Sequence, residues 1–161
     1  MKMCNSEAMK VIKELEEKKK KIIYNENARS KVLYKEGEEK VLNNYDYAQT
    51  RKQVEEIDGR IRKIKHALAV SNSKTVLPEF GITIGEALVY VAQLNAEYAQ
   101  LETLSSFNKL SRRITSNGVL EYTECLYDPD AIILDMEELH SKICKLQVSI
   151  DRANLTSIID V

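Results

Sequence analysis

Two separate stretches of this chain carry an apolar residue on a seven-residue period. Val54, Ile57, Ile61, Ile64 and Leu68 step alternately by three and four, and so do Ile132, Met136, Leu139, Ile143, Leu146 and Ile150. At about 3.6 residues per turn, that spacing draws one apolar seam down one side of a helix. A seam needs a second helix to bury it. The sequence therefore predicts helix packing before anything else, and these residues are its candidate interface.

The rest of the composition agrees with long helices. The 161 residues are 43% hydrophobic and 30% charged, with only two prolines and five glycines. Such a chain can bury a core and has few of the turns that a sandwich or barrel requires. The net charge of −1 supplies no bulk attraction to nucleic acid or to an anionic membrane. The longest uncharged run, between Glu86 and Glu97, is too short to span a bilayer. No apolar segment follows Lys2, so a signal peptide is not expected. Cys4, Cys125 and Cys144 are an odd and sparse set, which fits a reducing cytoplasm better than a disulfide framework.

The pattern predicts four helices over about residues 6–34, 47–70, 84–107 and 129–154. Asn5 or Ser6 can cap the first, and Asp46 with Gln49 the second. Ser71-Asn72-Ser73 reads as the stop of the second helix, with a loop through Pro78 and Gly81. Thr83 and Glu86 form a capping box for the third. That third helix has no lysine or arginine between Thr83 and Phe107, and apolar residues spread around most of it. It is expected to lie centrally, contacted by several neighbours. Asp128-Pro129-Asp130 opens the fourth helix, and the apolar tail beyond Asn154 is expected to dock.

Between the last two helices, Asn117-Gly118 is flanked by β-branched and aromatic residues, which predicts a hairpin over about 111–127. In the second strand, Leu120, Tyr122, Glu124 and Leu126 alternate with Val119, Glu121, Thr123 and Cys125, so neither face is cleanly apolar. A lone hairpin is marginal in water, so this one should lie on the helices or pair with another subunit. The expected fold is mainly all-α: a single domain, 1–161, of long antiparallel helices forming a bundle or coiled coil, with a small hairpin before the last helix. Polar residues in or beside the seams, such as Lys19 and Thr50, can set register.

The ending Ile150-Asp151-Arg152-Ala153-Asn154-Leu155-Thr156-Ser157-Ile158 resembles that of a family of small bacterial and phage-associated helical proteins, sometimes labelled septicolysin. Those proteins end a long helix with an Ile, a polar spacer and an Asn-Trp-Thr-Thr stretch; here Leu155 stands for the tryptophan and Ser157 for the second threonine. Lys35-Glu36-Gly37-Glu38 resembles the family's Glu-Gly-Glu loop, and Thr83-Ile84-Gly85-Glu86-Ala87-Leu88 its Thr-Leu-x-Glu-Ala-Leu helix start. The segment from Tyr122 to Ile150 resembles its last third. The resemblance implies the helical fold and an association with phage or mobile elements. No catalytic residue carries over from it.

Residues able to carry chemistry are few. His140 and Cys144 are four apart on one helix face, and Cys125 precedes that helix, a soft N/S set that would suit a metal. Yet zinc wants about four ligands, and the chain has no C-x-x-C or H-E-x-x-H pair. A half-buried cysteine beside a surface histidine is the simpler account. Cys–His catalysis would also need an orienting group and an oxyanion hole, for which there is no glycine-rich loop. No cofactor signature is present. Lys18 to Lys21, Arg60, Arg62, Lys63, Lys65 and Arg112-Arg113 could offer phosphate contacts, but acids are interleaved throughout. The sequence therefore reads as a cytoplasmic homo-oligomer with a structural or protein-interaction role and an unidentified protein partner, not membrane-bound. A nucleic-acid-binding accessory protein and a metal-dependent helical enzyme are the alternatives.

Overall fold

The structure, a computed structural model, describes residues 1–161. It is mainly helical, with four helices and three small two-stranded antiparallel sheets. In chain order the elements are β1 (Lys2–Cys4), α1 (Asn5–Arg29), α2 (Tyr47–Lys74), β2 (Val76–Leu77), β3 (Ile82–Thr83), α3 (Ile84–Ser105), β4 (Leu110–Ile114), β5 (Leu120–Glu124), α4 (Pro129–Thr156) and β6 (Ile158–Asp160). The chain divides into two compact units, one of Met1–Thr75 with Asn154–Val161 and one of Val76–Ala153. Sequence patterning treats the chain as one domain; it has no linker of altered composition to mark this division, which crosses the chain between α2 and β2 and again inside α4.

In the first unit, α1 and α2 pack antiparallel. Their ion pairs fix the direction: Glu16 meets Lys65, Lys19 meets Asp58 and Glu26 meets Arg51. The α2 seam closes here, because Ile57, Ile61 and Ile64 are buried against Ala8, Ile12 and Leu15, with Leu68 half-covered beside them. Strands β1 and β6 close the end of the pair, with Met3 opposite Ile159 and both buried. The tail thus docks, through Ile159, while Ile158 points out.

Three local expectations change. The cap of α1 is Cys4, not Asn5 or Ser6: the Glu7 backbone N–H donates to Cys4 Sγ at 3.4 Å, and the Cys4 N–H donates to the Glu7 carboxylate at 2.9 Å. Asn5 is instead fully buried, its Nδ2 donating to the side-chain oxygens of Asn72 and Asn154. That contact explains why α2 runs through Ser71-Asn72-Ser73 to Lys74, since Asn72 is held by a tertiary partner that local propensity ignores. Helix α1 ends at Arg29, several residues early, where Asn43 Nδ2 donates to the Arg29 carbonyl and Tyr45 donates to Glu26 at 2.6 Å. The Glu26 carboxylate holds the Tyr45 hydroxyl above its ordinary pKa by accepting that bond.

In the second unit, one face of α3 meets α4. Ile84, Ala87 and Leu94 are buried with Leu77, Ile143, Leu146 and Ile150, flanked by Tyr98 and Leu139. Leu146 is fully buried, whereas Ile132, Met136 and Leu139 are half-covered. The loop expected through Pro78 and Gly81 is a turn, and the two residues on each side of it pair as β2 and β3, Val76 to Thr83 and Leu77 to Ile82.

Lys19 sits where an apolar residue would continue the α1 stripe, and its ammonium lies 2.7 Å from both Asp58 oxygens. Both side chains are about two-thirds covered, at 31% and 33% exposure. Asp58→Ala strands a cation in that position, so it should cost about 1–2 kcal/mol, between exposed and buried pairs. Lys19→Met with Asp58→Leu should cost less than the single change, as read by urea unfolding. Equal losses would mean that the pair is not coupled.

Candidate functional site

The surface that stands out lies on α3 and the hairpin that follows it. Thr83 and Glu86 start α3 with a reciprocal capping box: Glu86 N–H donates to Thr83 Oγ1 at 3.2 Å, and Thr83 N–H and Oγ1–H donate to a Glu86 oxygen at 2.8 Å. The backbone bond from Thr83, then its hydroxyl, lowers the Glu86 pKa. From this start the helix presents two apolar faces. One is taken by α4. The other, carrying Leu88, Val89, Ala92, Ala96 and Ala99, is open, with Leu88 at 48% and Val89 at 59% exposure. The expectation of a central α3 surrounded on all sides is thereby corrected within this unit. Its apolar residues do encircle the helix, but one face has no covering element within the unit.

The hairpin is amphipathic in a way that one strand alone conceals. The register pairs Leu110 with Glu124, Arg112 with Tyr122 and Ile114 with Leu120. Paired residues share a face, so Leu110, Ile114, Leu120 and Tyr122 gather on one side around Arg112, with Glu124 at its edge beside Leu110. Ser111, Arg113, Glu121 and Thr123 take the other, where Arg113 pairs with Glu121 at 2.8 Å. Reading only the second strand misses this, because Leu110 and Ile114 come from β4. All residues of both strands are exposed. The turn is a three-residue loop closed by Thr115 and Val119, in which only Gly118, at φ +75°, takes a left-handed conformation.

The remaining candidates are less organised. His140 and Cys144 come together, with His140 Nε2 at 3.6 Å from Cys144 Sγ and its ring tilted against Tyr98. Cys125 is engaged elsewhere, its Sγ donating to the Asn108 carbonyl at 3.3 Å. Nowhere do three His, Cys, Asp or Glu side chains converge as metal ligands would. Tyr127 donates to the Leu104 carbonyl at 2.9 Å and ties the end of the hairpin to the end of α3; burial, then Cys125, raises its pKa.

Among the basic residues, Lys19, Lys65 and Arg113 are paired with acids. Lys18, Arg60 and Lys63 rim a cavity of about 520 Å³ beside α1 and α2, floored by Val11, Leu15 and Ile64. Its rim also carries Glu14, so it is not a purely cationic surface. No helix is long and apolar enough to cross a membrane.

No protein-family model matches this sequence, and no curated protein matches it. Among solved structures, a functionally unknown conserved protein from Corynebacterium diphtheriae has a similar fold. Its TM-score is 0.74 at 18% identity, over 99% of this chain and 100% of that one. That likeness extends to the whole architecture and says nothing of activity.

Two measurements follow from this geometry. Because Glu86 is held below its ordinary pKa, the capping contact adds stability above the usual glutamate range and loses it as pH falls through the lowered value. Glu86→Gln should therefore lower the melting temperature at neutral pH and converge with the parent in acid; a constant difference would show that the ionised carboxylate is not what matters. Cys144 is the exposed thiol, with Cys4 and Cys125 half-covered. Iodoacetamide should label it first, and peptide mapping that finds Cys125 first would contradict the hairpin's base as described.

Proposed function

We propose that this protein works by association with copies of itself, as a homo-oligomeric structural or protein-interaction protein. One observation carries the reading. The face of α3 bearing Leu88, Val89, Ala92, Ala96 and Ala99 is apolar, uncharged and uncovered. Contiguous apolar surface of this kind marks an interaction site, and small residues let another element approach closely. Symmetric self-association is the commonest arrangement of soluble oligomers. A face without charge accepts an apolar surface of a second copy without repulsion. We take the cytoplasmic setting from the cysteine usage, and the association with phage or mobile elements from the sequence resemblance alone.

The heptad seams enter this reading differently from their sequence pattern. Ile57, Ile61, Ile64, Ile143, Leu146 and Ile150 are buried inside their own units. Any coiled coil between copies would have to draw on the half-covered Val54, Leu68, Ile132, Met136 and Leu139. Replacing Ile61 or Ile143 by Asp reports folding rather than assembly, because it buries an unpaired charge in a closed core. The informative substitution lies on the open face.

Light scattering on a size-exclusion column should give a defined multiple of the 18.4 kDa chain. Ala96→Glu places a charge on the open face and should return the mass to one chain with helicity unchanged. A monomeric parent protein at tens of micromolar would defeat the proposal. Nucleic acid travelling with the peak, and released by salt, would favour the nucleic-acid alternative instead.

A further inference from the structure

The hairpin and the open face of α3 complete each other. Resting on the self-association proposed above, we infer that the β4–β5 hairpin is an exchanged arm: its apolar face seats on the open α3 face of a second copy, which returns its own arm. Three features point to this occupant.

The first is the hairpin's own instability. A two-stranded hairpin is marginal in water unless something packs on it. Here every strand residue is exposed, and the apolar side shows Leu110 at 58%, Ile114 at 73% and Tyr122 at 62% exposure. The second is size. Strands of five residues run about 17 Å. From Leu88 to Ala99, the α3 face also runs about 17 Å at helical rise. Ala92, Ala96 and Ala99 keep that face low enough for a strand pair to lie along it.

Charge supplies the third. The arm's apolar face carries one cation, Arg112 at its middle, and one anion, Glu124 at its base beside Leu110, neither in an ion pair, while Arg113 is satisfied by Glu121. The stretch from Thr83 to Phe107 contains no cation. Glu102, exposed and likewise without an ion pair, lies at the margin of the open face near Ala99. Arg112 of one copy therefore meets Glu102 of the other as the arm seats. The exchange is isologous, since each copy gives an arm and receives one at the same pair of surfaces.

Disulfide trapping in the full-length protein tests the seat. In a Cys4→Ser, Cys125→Ser, Cys144→Ser background, one preparation carries Tyr122→Cys at the middle of the arm and another Ala96→Cys at the middle of the face. Oxidation of the equal mixture should give a mixed dimer, identified by peptide mass, whichever direction the arm lies. Oxidation of the Tyr122→Cys protein alone should give none. Arm-to-arm dimers, or no mixed dimer while the parent keeps its multiple mass, would overturn the exchanged arm and leave self-association standing. A monomeric mass would overturn both. The charge contact has its own readout: Arg112→Glu and Glu102→Arg should each weaken assembly by about tenfold, and the double reversal should restore it. Two independent losses with no restoration would remove that contact from the interface.

Discussion

Everything in the first unit depends on the apolar contact between α1 and α2. Ile57, Ile61 and Ile64 have nowhere to go within the unit except onto Ala8, Ile12 and Leu15, and once they do, the two helices are fixed face to face. The contact also determines what the ends of the chain must do. Met3 and Ile159 are drawn over the end of the helix pair, and the β1–β6 ladder forms because both strands are needed to cover that end. Lys19 with Asp58 then makes the packing selective, since sliding one helix along the other would leave both charges unpaired in a partly covered place.

The second unit has a different balance. Its apolar residues exceed what its elements can bury. Helix α3 spends one side on α4, and the opposite side remains, as does the hairpin's inner face. An isolated monomer with these surfaces would be an aggregation hazard. In the proposed arm exchange, a second copy covers both apolar faces.

The sequence disclosed some of this and concealed the rest for physical reasons. Helix positions followed from period and caps, because Asp46, Thr83 and Asp128 act on their own neighbours. The end of α2 did not follow, because Asn72 answers to Asn5 across the fold. The Cys4 cap was hidden by the poor standing of sulfur as an acceptor, although Glu7 three residues on was the available clue. Periodicity announced that Ile61 and Ile143 would be buried, but a seam does not say which helix covers it. The hairpin's apolar side became visible only when the register brought Leu110 and Ile114 beside Leu120 and Tyr122.

The pairing of β1 with β6 brings the first and last residues side by side, with the Met1 nitrogen 2.6 Å from the Val161 carbonyl oxygen. The order of elements along the chain is therefore separable from their order in space. A short bridge could join the two ends, and the chain could be reopened in the exposed stretch between α1 and α2, around Gly37, without crossing a buried backbone segment. Such a circular permutant would keep the ladder while exchanging which strand is made first, so the closure at this end becomes a question of synthesis order rather than of topology.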